Sequence, residues 1–127
     1  MKVGAWNAAE SATQNFERIV NRVAATIEEL ELNIIGISEA NIYPNTIKEG
    51  LKIAGYNMEI DKGVEKEVGA NARVIMYIST ELDYKRRRDL EEMSEMPAIW
   101  VEVGGKGKGR FLCCTVTVQR TQTLGRE

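Results

Sequence analysis

With 127 residues, 43% of them apolar and 28% charged, the chain has the composition of one folded domain, which excludes a largely disordered polypeptide. Its 17 basic and 19 acidic residues leave a net charge of −2, so nucleic-acid binding through an overall basic surplus is excluded and only a local basic patch could serve. No run is apolar and long enough to span a membrane, and the N-terminus has none of the blocks of a secretory signal. The adjacent Cys113 and Cys114 point to opposite faces of an apolar strand, which disfavours a bond between them. Reduced, buried cysteines and an intracellular location are the expectation.

Residues 2–6 read as a short apolar strand closed by Asn7. Small and polar residues follow, with Ser11 or Thr13 as a helix cap. Phe16, Ile19, Val20, Val23, Ile27 and Leu30 then recur at spacings of three and four, which predicts an amphipathic helix with Glu17, Arg18, Arg22, Glu28 and Glu29 on its other face. Ile34 to Ile37 is a continuous apolar run, as in a strand covered on both faces, and Glu39 ends it. A strand–helix–strand unit of this length closes as a parallel, right-handed crossover.

Pro44, the capping-box spacing of Thr46 and Glu49, and Ile47, Leu51 and Ala54 predict a second helix that stops at Gly55. Tyr56 to Ile60 reads as a strand, 61–71 as a loop, and Arg73 to Ser79 as a strand apolar on both faces. The stretch 80–97 is charged and irregular, and includes Lys85-Arg86-Arg87-Arg88. Ile99 to Val103 and Phe111 to Val118 form a hairpin around the glycine–lysine turn 104–109.

About six strands against two helices is an unbalanced inventory, because strands with two apolar faces need cover on both. Two helices cover one face of a sheet. The expectation is therefore an uncovered apolar sheet face open to self-association or to a partner.

Asn7 and Glu39 end the two strands of the crossover, and ligands of open α/β sheets bind beyond the carboxyl ends of the strands. A carboxylate there can bind a hard cation such as Mg²⁺, and an amide can donate to a phosphate oxygen or orient the carboxylate. The plainer alternative is a solvated strand end and a turn-forming asparagine.

Val3-Gly4-Ala5-Trp6-Asn7, the helix, and Ile34-Ile35-Gly36-Ile37-Ser38-Glu39-Ala40 together resemble the opening of the endonuclease/exonuclease/phosphatase (DNase I-like) family. Gly55-Tyr56, Arg73 to Ile78, Asp89-Leu90-Glu91 and Pro97 to Val103 are most similar to the endonuclease domains of non-LTR retrotransposons. The resemblance implies an α/β fold, the N-terminal half of a four-layer α/β/β/α sandwich with a mixed sheet and two helices. It implies a partial domain over 1–120, with 121–127 an unassigned tail. It further implies a divalent-metal-dependent phosphodiesterase acting on DNA, with Asn7 and Glu39 as catalytic-site residues, Glu39 as the Mg²⁺ ligand and a nuclear location.

The family's Asp-x-Asn motif and terminal Asp-His pair are absent, and Gln119-Arg120 stands where many relatives have a tyrosine. The chain has no histidine, so no side chain with an ordinary pKa near neutrality is available as a general base. A lone carboxylate is also a poor Mg²⁺ site. The expectation is little or no activity from this chain alone. Two alternatives stand beside the endonuclease: a non-catalytic remnant binding a partner through its uncovered face, and a phosphatase-type member acting on a small phosphorylated molecule.

Other features read more plainly. Lys85 to Arg88 suits a solvated loop balanced by Asp89, Glu91, Glu92 and Glu95, better than a phosphate-gripping patch. Trp100 faces away from Ile99 and Val101 and suits packing. The glycine–lysine turn lacks the strand-to-helix context of a phosphate loop.

Overall fold

The computed structural model describes residues 1–8, 16–40, 42, 48–61, 73–105 and 108–116. Among these, seven strands form two sheets. β1 (Val3–Asn7), β2 (Ile34–Ser38), β3 (Tyr56–Ile60) and β4 (Ile75–Ser79) make a mixed sheet in the order β1-β2-β4-β3. β5 (Asp83–Arg86), β6 (Ala98–Gly105) and β7 (Lys108–Val116) make an antiparallel sheet in that order. The helices are α1 (Val20–Leu30) and the single-turn α2 (Arg88–Glu91), with 3-10 turns at Phe16–Ile19 and Lys48–Leu51.

α1 forms where the three-and-four apolar spacing predicts it, and it buries Val20, Val23 and Ile27. Its first turn is the 3-10 segment carrying Phe16 and Ile19, both buried. Glu31 ends the helix in the left-handed conformation (φ 53°), its N–H reaching Glu28 O (3.3 Å) while the Leu32 N–H reaches Ile27 O (3.0 Å). This pair of bonds is a Schellman termination, and Leu32 joins Ile27 in the core behind it. The chain reverses at that point, so Leu32 is buried and Leu30, placed on the apolar stripe by spacing, is 50% exposed. The capping residues Ser11 and Thr13 lie outside the described residues.

The crossover is parallel as expected, with Val3 opposite Ile34 and Asn7 opposite Ser38. β4 then runs antiparallel to both β2 and β3. The helix expected over 46–54 is, in its described part, only the 3-10 turn Lys48–Leu51. Leu51 is buried and its carbonyl accepts the Tyr77 hydroxyl (2.6 Å), whereas Ala54 is exposed. Thr46 and Ile47 lie outside the described residues.

The expected uncovered face of the first sheet is corrected by the structure. Ile35, Ile37, Ile75 and Tyr77 pack under α1 and the 3-10 turns. On the other side Ile34, Val74, Met76 and Ile78 are buried against Ile99, Val101 and Val103 of the second sheet. The β6–β7 hairpin thus folds back as a layer of its own, which is why all of β4 is buried. The order of layers is α/β/β, a partial α/β sandwich. Gly36 of β2 meets Thr115 of β7 between the sheets; a Cβ on Gly36 would overlap the Thr115 hydroxyl.

The basic run 85–88 is also corrected. It is neither a loop nor a free patch. Arg86 lies almost fully buried between the layers, bonded to Glu59 Oε1 (3.0 Å), Ile60 O (2.9 Å) and both carboxylate oxygens of Glu91 (2.8 and 2.9 Å). Glu59 also accepts the Tyr84 hydroxyl (2.6 Å), and Glu91 accepts the Trp100 N–H (3.0 Å). Arg87 pairs with Asp89 (2.7 Å) and Glu102 (2.8 Å).

The outer face of the second sheet carries half-buried Trp100 opposite Cys114, and Leu112 (49% exposed) opposite Glu102, with exposed Val116 opposite Ala98. Cys113 is half-buried between the sheets and Cys114 is exposed, so the expectation of two buried thiols holds for neither in full. Among the described residues β7 pairs on one side only, with β6. No described helix is long and apolar enough to cross a membrane.

Candidate functional site

Parallel pairing of β1 with β2 brings Asn7 beside Ser38 at the carboxyl edge of the first sheet, and the Ala8 N–H extends the ladder to Ser38 O (2.9 Å). Glu39 follows directly. It sits in the left-handed conformation (φ 54°), which costs an L-residue about 1–2 kcal/mol and turns it out of the strand's alternation. The two residues singled out by sequence are thus neighbours at one edge, the place where α/β sheets receive ligands.

The antiparallel strand adds two residues that sequence reasoning passed over. Past β2 the pairing slips by one residue: the register Ile37 opposite Ile75 would set Glu39 on Arg73, but the Ala40 N–H donates to Arg73 O (2.9 Å), which makes Glu39 the extra residue of a bulge. Arg73 thus stands opposite the Glu39–Ala40 pair, and it is exposed. Asp61, next after β3 and 3% exposed, accepts the N–H groups of Arg73 (2.7 Å) and Val74 (2.8 Å) on its Oδ2. The Asp61 N–H in turn donates to Val74 O (3.1 Å). Asp61 works as a clamp on the start of β4 and spends that oxygen on backbone. The signal for Arg73 was present in the sequence: it is the polar residue just before an apolar strand, and antiparallel pairing with β2 puts that strand's start at the edge where β2 ends.

The edge therefore brings the backbone positions of Asn7, Glu39 and Arg73 together. Glu39 is a hard oxygen donor suited to Mg²⁺, which binds through one or two carboxylates, retains waters and shares itself with substrate phosphate. Among the described residues no group of three or more Asp, Glu, Cys or His side chains could enclose a metal. The donor set fits a weakly held ion at Glu39 and not a caged one.

Among the described residues, the cysteines and tyrosines supply no group able to move a proton at neutral pH. Burial pushes the half-buried Cys113 thiol above its ordinary value, and partial desolvation with the neighbouring Cys113 and Glu91 moves the more exposed Cys114 the same way, which keeps both protonated. Burial does the same to Tyr77, and to Tyr84 together with its bond to Glu59. The basic run lies in β5 and α2, with Arg86 and Arg87 committed to carboxylates, and supplies no group to this edge.

No family model matches the chain, and no curated protein matches it. Among solved structures it is similar to a mannosyl-6-phosphatase of Bacteroides thetaiotaomicron VPI-5482. That likeness has a TM-score of 0.50 at 14% identity and covers 90% of this chain. The chain spans about half (50%) of that protein's length. At this identity the likeness bears on fold, and it agrees with the partial α/β sandwich described above.

Proposed function

We propose that this chain supplies the metal- and phosphate-binding part of a phosphoester hydrolase site acting on nucleic-acid phosphodiesters, with Glu39 as the ligand of Mg²⁺ and Asn7 orienting the phosphate or Glu39. The observation that carries the reading is the meeting of Asn7 and Glu39 at the carboxyl edge of a parallel strand pair, with Glu39 held in a costly backbone conformation. A bound Mg²⁺ would supply neutralisation of charge at the phosphate. The residues of this chain bind and orient; none of the described ones is poised to activate the water.

A phosphatase-type reading is favoured by one finding, the likeness of fold to a sugar-phosphate phosphatase. A non-catalytic role is favoured by another, the exposed Leu112 and Val116 on the outer face of the second sheet, which would take a partner or a second copy of the chain.

The test combines plasmid nicking, phosphate release from mannose 6-phosphate and oligonucleotide binding, each with and without Mg²⁺. The chain alone is expected to bind a DNA oligonucleotide in a Mg²⁺-dependent way that Glu39→Ala abolishes, and to show negligible turnover in either assay. Mg²⁺-independent binding, or binding untouched by Glu39→Ala, would remove the site reading. Robust nicking would overturn the inactivity. Phosphate release without nicking would select the phosphatase.

A further inference from the structure

The geometry points to β7 as the edge at which two copies of this chain pair, antiparallel and about a two-fold axis at Cys114. The two outer strands of the second sheet differ in character. β5 is four residues long and carries Asp83, Lys85 and Arg86, the short and charged form in which natural sheets end. β7 is nine residues long, and its stretch Phe111 to Val116 holds no charge, no proline and no glycine. A strand of that composition is open to pairing with another chain.

The direction in which β7 offers its backbone follows from β6. Trp100 donates its N–H to Glu91 Oε2 (3.0 Å), and its carbonyl accepts the Arg87 N–H (2.8 Å), so both groups point to the β5 side. Along an antiparallel strand, successive residues send both groups alternately to one side and to the other. Trp100 stands opposite Cys114, which makes that pair a non-bonded one in the β6–β7 ladder. Leu112, Cys114 and Val116 therefore aim N–H and C=O away from β6, and all three are exposed. The space beside them is apolar on both faces of the sheet, with Leu112 and Val116 on the outer face and exposed Phe111 on the inner one. An amphipathic strand would satisfy only one of those faces. A second β7 satisfies both.

A two-fold axis at Cys114 sets Leu112 opposite Val116 of the second copy and Cys113 opposite its Thr115. The residues aimed outward then exchange both backbone bonds with their partners, and the Cα atoms of the two Cys114 residues come about 5.5 Å apart. Charge fits this register as well. The paired positions are neutral, and Arg110, bonded to Glu102 of its own chain (2.7 Å), falls outside them. One strand pair buries less than the roughly 1,200 Å² of a standard interface, so the association is weak, with Kd on the order of 100 µM. The Glu39 edge belongs to the other sheet and plays no part in this pairing.

The experiment is sedimentation equilibrium of the full, reduced chain from about 5 to 500 µM, a range that brackets such a Kd. It is run on the parent, Cys114→Lys, Cys114→Glu and an equimolar mixture of the two variants. The parent's average mass should rise from that of one chain toward that of two. Each variant sets like charges opposite one another at the axis and should weaken association about fivefold or more. Its melting temperature should be kept, because the side chain is exposed. The mixture, which opposes Lys with Glu, should regain the parent's association. A second readout uses Cys113→Ala, which leaves Cys114 as the one thiol of the chain. A short bismaleimide should then join two chains at concentrations where the parent associates. A parent that stays a single chain throughout overturns the pairing and leaves the edge to a strand of a different protein. Association equal in the parent and both variants overturns it by placing the contact elsewhere. A mixture no more associated than either variant alone, or no cross-link through Cys114, overturns the axis at that residue.

Discussion

Gly36 and Thr115 are in contact across the two sheets, so closely that a Cβ on Gly36 would overlap the Thr115 hydroxyl and lie 2.9 Å from Thr115 Cβ. The glycine sits in the middle of β2, where it is intrinsically unfavourable, so close approach of the sheets is the physical reason for it. Gly36→Ala should force the layers apart and cost about 1–3 kcal/mol, the usual penalty of overpacking. Adding Thr115→Ala should recover part of the loss, since the methyl that remains is still tight. Urea denaturation of the two single variants and the double gives the coupling. Additive losses would show that the contact is not shared.

The ion-pair cluster between the layers gives the largest single-residue prediction. Glu91 lies 8% exposed with both oxygens on Arg86, and Arg86 also bonds Glu59 on the other sheet. Burial works against the charge of Arg86, and its bonds to Glu91 and Glu59 more than offset this. Glu91→Ala would leave a buried guanidinium short of a partner and should cost about 3–5 kcal/mol. Glu92→Ala, one residue on and exposed, is the control and should change stability by less than about 1 kcal/mol.

The same carboxylates set an acid limb to stability. Burial alone would raise Glu91, but its bonds to Arg86 and to the Trp100 N–H hold it below the usual carboxylate range. Bonding to Arg87 holds Asp89 down to about 2, and bonds to Arg110 and Arg87 lower Glu102. Each folded value lies below the unfolded one, so the contribution is complete above the unfolded carboxylate range, about pH 4–4.5, and fades as pH falls through the depressed values. Chemical denaturation should therefore show constant stability from pH 7 to about 5 and a decline below it. Glu91→Gln should flatten that decline, and a parent curve no steeper than the variant's would count against the cluster as its source.

Much of this architecture was legible because hydrophobic period tracks burial. The stripe from Phe16 to Ile27 gave α1, and the continuous runs Ile34 to Ile37 and Val74 to Ile78 marked strands covered on both sides. What could not be read was the identity of the cover. The hairpin of 98–116 was visible as strands, but nothing in its own pattern says that it folds onto Ile34, Met76 and Ile78 rather than extending their sheet. Arg86 was misread for a related reason. A basic run followed by acids looks like a solvated loop, and only tertiary pairing with Glu59, 27 residues away, makes its burial tolerable. At the candidate site the strand ends Asn7 and Glu39 were legible from one parallel crossover. Arg73 and Asp61 depended on an antiparallel register that no single segment encodes.

At the end of α1 the left-handed residue is a glutamate, and the helix has no basic residue in its last turn. Both facts are unfavourable: the conformation suits glycine, and Glu28, Glu29 and Glu31 crowd the negative end of the dipole. Glu31→Gly should raise stability by about 1 kcal/mol, seen as a higher midpoint at unchanged m-value. It lies at the opposite end of β2 from Glu39, so Mg²⁺ binding should not move.

Glu39 shares that backbone conformation (φ 54°) but ends a strand at the candidate site, so comparing substitutions there separates backbone cost from side-chain role. Glu39→Gly and Glu39→Ala remove the same carboxylate and the same side-chain contacts. They differ in that alanine must still occupy the left-handed region. The glycine variant should therefore be the more stable by about 1 kcal/mol in urea denaturation. Neither should bind Mg²⁺, whereas Glu31→Gly, with the same backbone relief at the far end, should bind it as the parent does. Equal stability of the two Glu39 variants would mean that the strand end relaxes once the carboxylate is gone, making the carboxylate itself the cause of the left-handed turn. Retained Mg²⁺ binding in either variant would move the ion away from Glu39.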